Sequence, residues 1–274
     1  MGGIPFYLSL IDPRQSLVQN VDRLFFSHGG IMRGEFDELY NALFSNAELY
    51  ISVVKALAQH HDGMTRTEIS KVIGANGGTL TRVLTNLERC DFISRSQNFG
   101  CKTKDTIYRL MDFYTLFYYK FIAQDTSGDE QWWSHNFESR LVSTWQGLTF
   151  EIVCLMHTDC IKKALGISGM ATEVSSWRKV ADDKQRGGQI DLVIKRADRI
   201  VHLCEMKISK SEYRITDAYE QLLRQRMELF QSSTKTKLSL VITFVTTYGV
   251  ADGLHHSIVH SEVTMSQLFI RNVT

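Results

Sequence analysis

The sequence predicts an α+β chain, α/β in its second half. An all-helical N-terminal segment leads into a winged helix-turn-helix, and a mixed β-sheet flanked by helices follows. Apolar residues recur at helical spacing through the first 90 residues. The stretch "FISRSQNFGCKTKDTIYRL" then reads as two strands around a turn at Gly100. From residue 173 onward, strand-like runs alternate with helical ones.

The N-terminal helices are expected over 16–26, 35–44 and 47–59, the last with Leu49, Val53 and Leu57 on one stripe beside Tyr50 and Val54. Thr65 followed by Glu68 is a capping box opening the next helix, which stops at Gly74. A second helix over 79–89 carries Leu80, Val83, Leu84 and Leu87 on one face. With the hairpin wing after it, this is a winged helix-turn-helix. The aromatic-rich helix "DFYTLFYYKFIA" (112–123) reads as packing rather than as a base-stacking platform. The polar stretch "QDTSGDEQ" (124–131) is the expected boundary, dividing a helical segment over 1–46 and a winged helix over 47–123 from a domain over 132–274. That last domain is expected to hold a helix over 147–166, strands near 173–180, 190–195 and 201–206, and a helix over 217–230. A strand over 237–247 and a short helix near 264–270 end it.

Composition narrows the function classes. The chain has 274 residues, enough for two cored domains, and is 43% hydrophobic and 22% charged, as in ordinary soluble proteins. A net charge of +1 supplies no global pull towards nucleic acid or membrane, so a basic surface has to be local. No apolar run reaches the roughly 18 residues that span a bilayer, and no basic segment precedes the first apolar run. Five scattered cysteines without a C-x-x-C pair fit free thiols in a reducing cytoplasm rather than a disulfide frame or zinc site.

The stretch "GGQIDLVIKRADRIVHLCEMKIS" (187–209) carries the chemistry. Its two apolar runs read as paired strands, yet Asp191, Glu205 and Lys207 interrupt them, and a buried charge is costly unless paired or ion-bound. Antiparallel pairing across a short turn sets Ile190, Leu192 and Ile194 against Met206, Cys204 and His202. Asp191 and Val193 then face Glu205 and Leu203 on the other side, with Lys207 about 7 Å along from Glu205. Two opposed carboxylates repel unless a hard cation such as Mg²⁺ sits between them. Lys207 would then stand beside the metal, placed to orient water or stabilise phosphate charge. Glu151 in "GLTFEIV" is the helix residue suited to complete the shell. The plainer reading, an edge hairpin with Asp–Lys pairing, stays open on spacing alone.

These residues resemble the PD-(D/E)xK nuclease superfamily, whose D…E-x-K core Asp191 and "EMK" (205–207) match. Glu151 matches the acidic residue often found on its first core helix. "AYEQLL" (218–223) is similar to the helix after the core, with Gln221 and Tyr219 at the matching positions. The whole chain also resembles the C-terminal part of a prokaryotic AAA+-type ATPase family, in which a winged helix precedes a nuclease-like domain. "GGIPFYLSLIDPRQSLVQNVDRLFF" is similar to its lid helices, and "FGCKTKDTIYRLMDFYTLFYYKFI" to the wing and following helix. The resemblance implies a restriction-endonuclease-like mixed sheet, Mg²⁺ or Mn²⁺ at Asp191 and Glu205, and catalytic roles for Asp191, Glu205, Lys207 and Gln221. It also implies an ATPase module as partner. No G-x-x-x-x-G-K-[ST] occurs, so no ATP site is expected in this chain.

The helix-turn-helix offers a DNA face: Thr79, Thr81, Arg82, Thr85, Asn86 and Arg89 on its second helix, and Arg95, Lys102, Lys104 and Arg109 on the wing. Residues 47–122 hold ten Lys/Arg against seven Asp/Glu, a mild excess. A spacer or protein-docking role is the competing reading. "LHHSIVH" (254–260) reads as a solvated loop, His202 as a satisfied core histidine, and Lys184 and Arg186 as solvated loop residues. Two functions follow: a metal-dependent DNA phosphodiesterase with a DNA-binding winged helix, or a non-catalytic binding module on a nuclease-like scaffold.

Overall fold

A computed structural model describes residues 4–101, 106–181 and 187–269. By contacts the chain forms two compact units, Met1–Arg95 with Thr106–Trp145, and Ser96–Asp105 with Gln146–Thr274. The expected boundary at 124–131 falls inside the first unit, and the segment 1–46 is not separate from the winged helix.

In the first unit, α1 (Pro5–Ser9) and α2 (Leu17–Val21) lead into a π-helical turn, Asp22–Phe26. Ser16 and Gln19 form a capping box on α2. Next come α3 (Ile31–Leu43) and α4 (Ala47–Ala58), then β1 (Met64–Thr65) and α5 (Arg66–Ile73). The Thr65 capping box forms as expected, with Glu68 N–H donating to Thr65 Oγ1 and Thr65 N–H to Glu68 Oε2. Gly74 ends α5 at φ 70°, a left-handed position that glycine takes without strain. Helix α6 (Gly77–Arg89) buries Leu80, Val83, Leu84 and Leu87. Strands β2 (Ile93–Gln97) and β3 (Thr106–Leu110) follow, and the small sheet runs β1-β3-β2. This element order is that of a winged helix-turn-helix.

The aromatic segment forms α7 (Phe113–Phe117) and a π-helical turn, Tyr118–Ile122. Its rings are core: Phe117 packs on Phe25 at 4.6 Å, Trp133 at 5.3 Å and Trp145 at 5.4 Å between centroids, and Tyr118 stacks on Phe36 at 4.0 Å. Buried Asp22 caps α8 (Trp132–Asn136), accepting from Trp133 N–H at 2.8 Å and Ser134 N–H at 3.2 Å.

The second unit is a five-stranded mixed sheet of order β4-β5-β6-β7-β8. Its strands are β4 (Thr172–Lys179), β5 (Gly188–Arg196), β6 (Ile200–Lys207), β7 (Ser239–Thr246) and β8 (Val259–Thr264). β4, β5 and β6 pair antiparallel, and β6, β7 and β8 pair parallel. Helix α9 (Arg140–Met156), which begins in the first unit, and α10 (Thr158–Ala164) replace the single helix expected over 147–166. Phe150, Cys154 and Ile161 of these helices pack with Leu192, Ile194, Cys204 and Met206. On the other side, Leu223 and Phe230 of α11 (Asp217–Thr234) pack with Val193, Val201 and Leu203. The two clusters are the strand alternation made visible.

β8 was not expected. "LHHSIVH" is neither a free loop nor solvated throughout: His256 opens a short 3₁₀ turn and His260 lies in β8. A 3₁₀ turn over Met265–Phe269 stands where the last helix was expected. Residues 96–101 complete the second unit at its β4 edge. Phe99 N–H donates to Ser176 O at 2.7 Å, Arg178 N–H donates to Asn98 Oδ1 at 2.9 Å, and Phe99 packs on Phe230 at 4.9 Å. All five cysteines are free, with Cys154 and Cys204 buried, and burial raises the pKa of both thiols. Among the described residues no helix is long and apolar enough to cross a membrane.

Candidate functional site

The β5–β6 hairpin pairs Leu192 with Cys204, Val193 with Leu203, Ile194 with His202 and Lys195 with Val201, the register expected from alternation. The ladder ends there, one residue short of setting Asp191 against Glu205. The cause lies on the far side of β5. Val193 pairs with Ser175 and Ile190 with Trp177, so three steps of β5 run against two of β4. That mismatch is a β-bulge around Asp191, and it breaks the alternation. Ile190, expected beside Leu192, packs instead in the cluster of Trp177 and Val193. Asp191 accepts from Gln189 Nε2 at 2.8 Å.

Glu205 is buried, 6% exposed, under α11. Tyr219 Oη donates to its Oε2 at 2.8 Å, Arg226 pairs with its Oε1, and Lys207 Nζ lies 3.8 Å from Oε2. Lys207 also stands over the Tyr219 ring, 5.4 Å from its centroid. Burial first, and then the Glu205 charge, pushes the Tyr219 phenol well above its ordinary pKa, so it stays a donor.

The remaining expected site residues are not gathered here. Glu151 stands on α9, whose Phe150 and Cys154 cover the Leu192/Cys204 face, whereas Glu205 belongs to the α11 face. Gln221 is exposed and donates to Asp217 Oδ2 at 2.9 Å. Among the described residues no three His, Cys, Asp or Glu side chains stand as a metal-holding group. The donor set therefore does not fit the Mg²⁺ or Mn²⁺ centre that the resemblance implies. Both Glu205 oxygens are engaged by cationic or hydroxyl donors, and Asp191 lies in the bulge.

Arg226 is the residue that sequence reading missed. It lies three residues after Leu223 and four before Phe230, both fully buried, so helical spacing carries it to the core stripe. A charge on an apolar stripe was the available signal.

His202 is the expected core histidine, its Nδ1 2.8 Å from Thr243 Oγ1 and its Nε2 3.3 Å from Arg196. Burial, then the Arg196 and His260 charges, lowers its pKa to about 4. Two histidines of 254–260 lie against carboxylates: His255 Nδ1 is 2.7 Å from Glu220 of α11, and His256 Nε2 is 2.8 Å from Glu262, six residues on in β8.

On α6, Thr79, Thr81, Arg82 and Arg89 are exposed opposite the buried leucine stripe. Arg66 on α5 joins this surface, donating to Gly77 O at 2.8 Å and Thr81 Oγ1 at 3.3 Å. Asn86 is instead tied to the core, donating to Tyr50 Oη at 2.8 Å, and Arg95 pairs with Glu88 at 2.8 Å. Lys102, Lys104, Lys184 and Arg186 lie outside the described residues.

No family model matches the chain, and no curated protein matches it. Among solved structures, a G34K mutant of MepR from S. aureus is 20% identical and covers 52% of this chain and 99% of its own, with a TM-score of 0.21. At that score the likeness carries no argument about fold or function.

Proposed function

We propose that this protein binds duplex DNA through its winged helix and that its second unit is a nuclease-like scaffold acting as a non-catalytic module. The observation that carries the reading is the exposed side of α6, where Thr79, Thr81, Arg82 and Arg89 stand free of the core with Arg66 beside them. Such a helix enters a major groove, and its cations meet phosphates whose counterions are released on binding. A salt titration of duplex binding by fluorescence anisotropy tests it. Wild type is expected to lose affinity steeply with salt, and Arg82→Ala to lower the log–log slope by about 1. Identical curves for the two proteins would refute the reading.

A second reading keeps the enzyme: a Mg²⁺- or Mn²⁺-dependent DNA phosphodiesterase of the PD-(D/E)xK kind, with Asp191, Glu205 and Lys207 as its core and Gln221 assisting. What supports it is the strand-borne Glu205–Lys207 pair beside Tyr219, on elements matching the motif order. Supercoiled plasmid incubated with Mn²⁺ separates the readings. Nicking by wild type and not by Asp191→Ala/Lys207→Ala supports the enzyme, whereas equal nicking, or none, removes it. An ATPase module is the partner implied by the motif resemblance, and it would supply the nucleotide site that this sequence lacks.

A further inference from the structure

We infer that Arg226 is the built-in counter-cation of Glu205, standing where a nuclease-like site would place a divalent ion, so that the folded protein takes no Mg²⁺ or Mn²⁺ there. A carboxylate at 6% exposure needs compensation, since a buried charge without a partner forfeits its hydration and gains nothing in return. Three groups supply it from two elements: Arg226 pairs with Oε1, Tyr219 Oη donates to Oε2 at 2.8 Å, and the Lys207 Nζ charge lies 3.8 Å from Oε2. Arg226 arrives on a helix pinned by Leu223 and Phe230, so its charge is delivered without the entropy of capturing a free ion. A guanidinium also accepts partial burial more readily than an ammonium, and this one is 24% exposed in its side chain.

A Mg²⁺ ion in the same place would have to displace this pairing and complete an octahedron of oxygens at 2.0–2.1 Å. Electrostatics points the same way. The cations already present raise the cost of bringing another beside them, since like charges a few ångströms apart repel strongly where water is scarce. The inference is independent of DNA binding by α6, and its failure would leave that reading intact.

The test is a Mn²⁺ titration of the full chain, with free Mn²⁺ read by electron paramagnetic resonance. Wild type and Asp191→Asn are expected to give the same isotherm, whereas a wild-type site lost in Asp191→Asn would overturn the inference. That comparison needs no change at Arg226. Arg226→Met is expected to gain a site at least about tenfold tighter than any in wild type. The added substitution Glu205→Gln should abolish it. Arg226→Gln, which can still donate to Glu205, serves as the second variant should the methionine fail to fold. A folded Arg226 variant that gains no Glu205-dependent Mn²⁺ would likewise overturn the inference.

Discussion

Arg226 of α11 and Glu205 of β6 form an ion pair between helix and sheet, completed by the Tyr219 hydroxyl. Removing one partner strands the other charge, so Arg226→Ala is expected to cost about 2–4 kcal/mol in urea denaturation. Glu205→Leu/Arg226→Met should recover most of that loss, because a volume-matched apolar pair has no charge to compensate. A double variant as unstable as the single one would contradict this account.

His202 makes stability depend on pH. Its folded pKa of about 4 lies below the ordinary value near 6.5, so between those pH values the unfolded chain binds a proton that the folded one does not. Stability from neutral His202 is full above about pH 6.5 and falls as the pH drops towards 4. The expected loss is on the order of 2 kcal/mol after allowing for partial hydration. Replacing His202 with Gln should flatten the curve between pH 6.5 and 4 relative to wild type.

Asp22 caps a helix 110 positions further along the chain, at Trp132–Asn136. Asp22→Ala removes the acceptor for two backbone N–H groups and the Ser134 hydroxyl, and is expected to cost about 1–2 kcal/mol. A thermal shift scan measures it, with Asp22→Asn losing less because its amide oxygen still accepts.

On α6, neighbouring positions should separate stability from binding. Asn86→Ala breaks the bond to Tyr50 and is expected to lower stability by about 1 kcal/mol while leaving the salt slope of DNA binding unchanged. Arg89→Ala should do the reverse, with stability within about 0.5 kcal/mol of wild type and a slope lower by about 1. Equal slopes for Arg89→Ala and wild type would take Arg89 out of the DNA face.

At the β4 edge, Phe99→Ala removes a ring packed on Phe230 at 4.9 Å. Loss of that packing is expected to cost about 2–3 kcal/mol, less than a fully buried phenylalanine because Phe99 is only partly covered. Denaturant midpoints of the two proteins would show it.

What the sequence determined by itself is what neighbours along the chain decide. The Thr65–Glu68 box, the Gly74 stop, the leucine stripe of α6 and the pairing of Leu192 with Cys204 all follow from groups a few residues apart or from strict alternation. Tertiary structure alone decided the rest. The bulge around Asp191 exists because β4 imposes a different count on β5 than β6 does, and β8 gains strand geometry only by lying against β7. Glu151 and Arg226 exchange their expected importance because α9 and α11 cover opposite faces of one sheet, and a charge is compensated by whichever helix lies over it.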